Sequence, residues 1–360
     1  MSGHTLFDAA GARRWRRELA LHDRLLAAYY AVLAGALLRA GPAPGRARTL
    51  AGVVALAALT AAAVWAARRG ARPSPLATLA YRAGTVGGVA ASYFLLRDLL
   101  PIVSPGSYDH ALRALDGALF GTDPVLWLDR LVTPASTEWF AFFYWSYFPL
   151  IAAWIVPVML LERRARLLDE LGLGLLLVVG TTHLLYMVVP GWGPYHAFAG
   201  IFPTPLPPGP WLDRVRDAVH AGGALKDIFP SLHTALPVYL TLFGFRHRRL
   251  RPYGAAWPPS ALVTLNVVAA AVFLRWHYVV DVLAGLGLAA AVHLAAPRLA
   301  AREARRRARA GAGPVWPALG RAARAPAGGA QRAAAPTTSS PIRHPKPAAK
   351  LALRAARRSR

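Results

Sequence analysis

The chain has 360 residues, of which 55% are hydrophobic and 16% charged, with no cysteine and a formal net charge of +25. The missing cysteines exclude disulfide staples and thiolate chemistry, and apolar residues gathered in long blocks exclude an ordinary water-soluble globule. The expected fold class is all-α: a polytopic membrane bundle of about six to eight transmembrane helices, because only helices or closed barrels satisfy the backbone in hydrocarbon.

In chain order, residues 1–23 read as a cytoplasmic segment carrying Arg13, Arg14, Arg16 and Arg17. Apolar blocks follow at 24–41, 49–67, 75–96, 138–161, 171–190, 231–245, 259–274 and 279–297, a count of eight spans, each near the length that crosses about 30 Å of hydrocarbon. The block 231–245 is short, which calls for Ile228 and Phe229 to sit in the interface or for the helix to tilt little. No small-residue cleavage site precedes residue 24, so the first span reads as a retained signal anchor.

Basic runs follow the second, fourth and sixth blocks: "RRGAR" at 68–72, "ERRAR" at 162–166 and "RHRRLR" at 246–251. Short cytoplasmic loops retain positive charge, so these runs and both termini are expected in the cytoplasm. The loops 97–137, 190–230 and 275–278 then lie outside it, and the protein is expected as a multi-pass component of the plasma (inner) membrane. Residues 301–360 hold 15 of the 42 Lys and Arg against one acid, Glu303. From 299 onward the chain reads as a disordered Arg/Ala/Pro-rich cytoplasmic tail that leans on anionic lipid headgroups, with no nucleic acid expected as a partner. Residues 24–90 are read as accessory transmembrane helices and 91–298 as the catalytic membrane domain.

Three clusters of polar residues stand at helix ends on the expected outer side: "PGWGPYH" (190–196), "KDIFPSLHT" (226–234) and "RWHYVVD" (275–281). Ionisable residues at such positions in a membrane chain are where a site is sought first. His233 and His277 are 44 residues apart, two blocks and one basic loop, so a helical hairpin returns both to the same surface. His277 and Asp281 are four apart, on one face of a helix start, where the carboxylate can fix the imidazole tautomer. Pro230 and Ser231 suit the first position and cap of a helix whose free N–H groups attract an anion, flanked by Lys226 and Arg275.

Plainer readings stand beside these. A single interfacial histidine is usually a boundary residue, and Trp192, Tyr195, Trp276 and Tyr278 suit an aromatic belt. Gly191, Gly193 and Pro194 suit a loop leaving a helix. His233, His277, Asp281 and His196 could ligate a metal, but no tight His pair accompanies them and the neighbouring cations oppose a divalent ion, so neither metal nor cofactor is expected. His183 and His293 read as packing or pore-lining residues.

Together the second and third clusters resemble two of the three signature motifs of the type 2 phosphatidic acid phosphatase superfamily, which includes the vanadium haloperoxidases. Pro230, Ser231 and His233 match its Pro-Ser-Gly-His motif; His277 and Asp281, followed by "VLAG" at 282–285, match its His-x3-Asp motif; "LDGALFG" at 115–121 is also family-like. Leu232 stands where the family has glycine, as in the branch resembling inositol phosphorylceramide synthases and bacterial inositolphosphotransferases. Ala270 and Ala271 occupy the positions of the family's Ser-Arg pair, and its first motif is not found; a Gly/Pro/aromatic element (Trp192, Gly193, Pro194, Tyr195, His196) stands there, with Lys226 or Arg97 to supply charge.

The resemblance implies a metal-independent phosphatase or phosphotransferase. In it His277 attacks phosphorus, Asp281 orients His277, and His233 protonates the leaving alkoxide. Lys226, Arg275, Arg97 and the N–H groups of Ser231 and Leu232 would hold the phosphate. The implied partners are a membrane lipid substrate and, for transfer, an alcohol acceptor such as inositol. A non-enzymatic transporter or lipid-binding scaffold remains the alternative from another class.

Overall fold

A computed structural model describes residues 15–69, 73–317 and 319, and every regular element among them is helical. The chain opens with an antiparallel pair, α1 (Leu21–Arg39) and α2 (Arg46–Arg68), followed by α3 (Pro75–Val103). α3 passes through a π-helical turn at Ala83–Gly87, where glycines relax the backbone, and a turn at Ser92. The expected accessory/catalytic boundary at 90/91 therefore falls inside a helix. Two short helices, α4 (Asp109–Phe120) and α5 (Pro124–Leu128), lead to α6 (Pro134–Leu161), which Thr133 caps by accepting the Ser136 N–H. α7 (Ala165–Val188) is followed by α8 (Pro194–Ala197) and α9 (Pro210–Gly222), then by α10 (Leu232–Arg246), α11 (Tyr253–Phe273) and α12 (Val279–Arg309).

Seven of these helices, α1, α2, α3, α6, α7, α11 and α12, are long and apolar enough to cross a membrane. The chain is thus a multi-pass membrane protein. The remaining expected span, 231–245, becomes α10, which has only 15 residues and extends about 22 Å at 1.5 Å per residue. Its shortness follows from its position: α10 packs against α6, α7, α11 and α12 and needs little lipid-facing length. α7 is the other inner helix, with 67% of its apolar window buried against 28% to 39% in the other six spans.

The tail differs from expectation at its near end. α12 runs on to Arg309, and beyond it Trp316 is buried with its ring centroid 5.3 Å from His22 and 5.2 Å from Tyr81. Charge explains the order: Glu303 accepts the Leu21 N–H at 3.1 Å and pairs with Arg306 at 2.7 Å, while Arg68 donates to the Pro314 and Val315 carbonyls. The start of α1 and the end of α12 therefore lie together. Residues 1–14 and the tail from 320 onward lie outside the described residues.

Candidate active site

Two helix starts build the site. Ser231 caps α10, its Oγ accepting the Thr234 N–H at 3.2 Å, and its own N–H donates to the Asp281 carbonyl at 3.0 Å. That bond ties the start of α10 to the first turn of α12. It needs a close approach, because a Cβ on Gly285 would lie 2.7 Å from the Ser231 carbonyl oxygen. At the end of α11 the chain reverses through Arg275, which has a left-handed φ of 65°. The Trp276 and His277 N–H groups then both donate to the Ala271 carbonyl, at 3.1 and 3.0 Å. The histidines are brought together as the hairpin argument requires, with ring centroids 6.1 Å apart.

The protons on His277 follow from its neighbours. Nδ1 lies 3.0 Å from the Ile228 carbonyl oxygen, which can only accept, so Nδ1 carries the hydrogen and Nε2 a bare lone pair. This corrects one expectation. The tautomer is set by the Ile228 carbonyl, whereas Asp281 stands 3.5 Å from the same nitrogen as a second, longer partner. Asp281 Oδ2 takes the Tyr278 N–H at 2.8 Å, and the residue is fully buried. His233 is clasped by aromatics: Tyr144 stacks on it at 4.4 Å and Tyr147 lies at 4.2 Å.

The expected cations do not face this pair. Lys226 directs its ammonium at the carbonyls of Ser104, Pro105 and Gly106, at 2.5, 3.0 and 2.6 Å, so its three donors are used in clamping the end of α3. Burial lowers its pKa, and the Asp109 carboxylate opposes that shift. Arg275 pairs with Asp129 at 2.6 Å, donates to the Thr204 carbonyl at 2.5 Å and stacks over Phe202. Arg97 donates to the His220 carbonyl at 2.7 Å on the outside of the bundle. The Ser231 N–H is taken by Asp281, as above. Of the expected phosphate ligands, the Leu232 N–H keeps no acceptor among the described residues, joined there by the N–H of His233 in the same first turn.

Two aspartates to which the sequence reading gave no role, Asp116 within the family-like "LDGALFG" and Asp109 before it, organise the site from α4. Asp109, 2% exposed, accepts the Trp192 and Gly193 N–H groups, both at 2.9 Å, and the Tyr278 hydroxyl at 3.1 Å. Asp116 caps α12, accepting the Val279 and Val280 N–H groups at 2.8 Å each. They are seven residues apart, two turns along one helix face, and that Asp-x6-Asp spacing was the available signal. The aromatic loop they hold needs Gly193, which has φ +88° and whose Cβ would meet the Trp276 carbonyl at 2.4 Å. Pro194 opens α8 behind it, and the Tyr195 N–H donates to the Arg275 carbonyl at 2.7 Å. Burial, with the Asp227 and Asp109 carboxylates, pushes the Tyr195 hydroxyl up to about 12.

Two cavities meet here. A small one of about 50 Å³ is lined by His233, His277, Trp192, Tyr195, Trp276 and Asp227, among others. A larger one of about 450 Å³ lies between α3, α6, α7 and α9, is lined mainly by apolar side chains, and shares His233, Tyr93, Tyr144 and Asp227 with the first. Among the described residues, neither is lined by a lysine or arginine. Trp276 Nε1 is buried without a partner at the small cavity. His196 is exposed, stacks on Trp192 at 4.6 Å and borders neither cavity. The arrangement offers a nucleophilic nitrogen, a second imidazole across a gap of phosphoryl size, and an apolar chamber behind them.

No curated protein and no solved structure matches the chain. Residues 110–295 match the model of a protein family described as the PAP2 superfamily, and the match contains Asp116, all of α4 after Asp109, and both histidines. It covers more than half of the sequence, and we conclude that this multi-pass membrane chain belongs to the PAP2 superfamily, whose general character is that of a membrane lipid phosphatase.

Proposed function

We infer that the protein transfers the phosphate-bearing group of a membrane lipid through a phosphohistidine on His277, either to water or to an alcohol such as inositol. The observation that carries this reading is the bare Nε2 of His277, left free by the Ile228 carbonyl at Nδ1, with His233 at 6.1 Å. The Nε2 lone pair attacks phosphorus as the bond to the leaving alkoxide breaks, and His233 supplies the proton that alkoxide needs. In the second step the acceptor oxygen attacks phosphorus, the P–Nε2 bond breaks, and His233 takes the acceptor proton back.

With Lys226 and Arg275 engaged elsewhere, charge on the equatorial oxygens is met by neutral donors. The free N–H groups of Leu232 and His233 at the start of α10 and the unpartnered Trp276 indole N–H are the candidates. Leu232 in place of glycine and the Trp192–His196 loop support an inositolphosphotransferase-like branch, and the arginine-rich loops support a site facing away from the cytoplasm. A chamber of about 450 Å³ suits a lipid chain.

The test is product analysis on purified protein in nanodiscs, with chelator present and a labelled lipid phosphate ester as donor. The expected result is released phosphate that gives way to a phosphorylated alcohol as inositol is raised. Turnover that requires an added divalent cation, or none with any lipid phosphate ester, contradicts the reading.

A further inference from the structure

α4 is inverted relative to a helix that faces water. It turns Asp109, Leu112 and Asp116 inward, and the face it leaves exposed carries Ala111, Ala114, Leu115, Ala118 and Leu119, recurring at helical spacing. Leu115, Leu119 and Phe120 are 47%, 57% and 45% exposed. The arginine of this helix is spent elsewhere: Arg113 pairs with Asp123 at 2.7 Å and lies over the Phe198 ring. His110 stays exposed in the first turn.

α9 serves as a comparison within the same chain. It too lies outside the seven spans and has 13 residues against 12 in α4, yet it buries Leu212 and Val215 and exposes Asp213, Arg214 and Asp217. That is the ordinary pattern of a helix whose outer face meets water. The inverted pattern of α4 calls for an apolar cover.

The position of α4 identifies that cover. Its 12 residues extend about 18 Å at 1.5 Å per residue, too short to cross about 30 Å of hydrocarbon. It packs on α12, and Asp116 holds the Val279 and Val280 N–H groups, so α4 lies at the depth where that span starts. In the next turns of α12, Leu283 and Leu286 are 47% and 37% exposed, as a lipid-facing helix requires. α5, which packs against α11, adds Trp127, 46% exposed, with the Arg130 guanidinium 4.9 Å from its ring. An exposed tryptophan beside a snorkelling arginine suits the boundary between headgroups and acyl chains.

We propose that α4 is an in-plane membrane helix, seated by Leu115, Leu119 and Phe120 in the boundary layer of the leaflet at which α12 starts. The partner is the lipid surface itself. Because Asp109 and Asp116 project from the opposite face of this helix, the bilayer becomes a support for the Trp192–Gly193 loop and for the first turn of α12. The seat stands on geometry; only its consequence for turnover rests on the phosphotransfer reading.

The chain has no cysteine, so Leu119→Cys and, as the water-facing reference, Asp217→Cys can each carry a single nitrobenzoxadiazole label on full-length protein in nanodiscs. Iodide reports exposure to water, and a phospholipid with a nitroxide near the top of its acyl chain reports contact with the bilayer boundary. The label at 119 is expected to be quenched about 5-fold more by the nitroxide lipid than the label at 217, and the label at 217 about 5-fold more by iodide. Equal iodide quenching at the two sites overturns the proposal. So does a label at 119 shielded from both quenchers, the mark of a second copy of the chain covering this face. The surface double variant Leu115→Gln, Leu119→Gln tests the link to the site: turnover in nanodiscs should fall about 10-fold while thermal unfolding in detergent is unmoved, and unchanged turnover overturns that link. A wild type silent in the product analysis contradicts the phosphotransfer reading, and the quenching still decides the seat.

Discussion

The first turn of α12 and its last turns hold the same kinds of residue in opposite conditions. Asp281 and Glu303 are 22 residues apart on that helix, about 33 Å at 1.5 Å per residue. Near Glu303, buried charges are closed on one another: Asp23 accepts from the Ala20 N–H at 2.7 Å, from Arg68 at 3.0 Å and from the Tyr81 hydroxyl at 2.8 Å. His22 and Asp169 have unpartnered atoms in that region, but neither cavity borders them. Near Asp281, by contrast, a bare imidazole nitrogen and an unpartnered indole N–H belong to residues that line a cavity. Buried charge alone therefore does not mark a site; an unspent donor or acceptor beside a cavity does. By that measure Lys226 and Arg275 are structural ties that happen to lie near the reacting groups.

This contrast can be broken by mutation, and the largest effect is expected at His277. His277→Ala should lower turnover of a lipid phosphate ester at least about 10⁴-fold, since no nucleophile remains. His233→Ala should cost about 10²- to 10⁴-fold with an alkyl leaving group, and much less with p-nitrophenyl phosphate, whose leaving group needs no acid. A loss equal for both substrates would remove His233 from that role. Asp109→Ala, which frees Trp192, Gly193 and Tyr278 together, should reduce kcat about 10²-fold through misplacement of the loop.

Rate against pH should follow a bell, falling about tenfold per unit on either limb. Tyr195 is pushed up to about 12 by burial and the nearby carboxylates, and a raised value keeps an acid neutral over a wider range, so it adds no limb below that pH. Asp23→Ala sharpens the comparison from the closed end: stranding the buried Arg68 charge should lower stability by about 3–5 kcal/mol, measured by denaturation in detergent, while activity per folded molecule changes little. Lys226→Met should likewise cost about 1–3 kcal/mol of stability and leave vanadate inhibition nearly unaltered. A vanadate constant weakened 100-fold would restore Lys226 to the phosphate site.

What the sequence disclosed were local relations. His277 and Asp281 share a helix start because four residues make about one turn, and Ser231 caps α10 as serine favours, whereas Pro230, expected at the first helical position, precedes the cap and Leu232 takes that position. What it hid were the partners of long polar side chains. Lys226 reaches carbonyls about 120 residues away and Arg275 a carboxylate 146 residues away, so their charge was legible but their direction was not. The roles of Asp109 and of Asp116, the latter inside the quoted "LDGALFG", were missed for the same reason, since their spacing is visible and the N–H groups they hold lie on other elements. The tail was misread because its first part borrows order from α1 and α2 through Glu303 and Arg68, contacts that composition cannot reveal.

The account stands most directly on the bond between phosphorus and His277. Brief incubation of purified protein with a lipid ester labelled on phosphorus, in chelator, followed by denaturation and peptide mapping, reads that bond. The prediction is an acid-labile label on the peptide containing His277 in the wild type, more of it in His233→Ala when a good leaving group is used, and none in His277→Ala. Label that persists in His277→Ala, or turnover in the wild type with no label at any time, would contradict it.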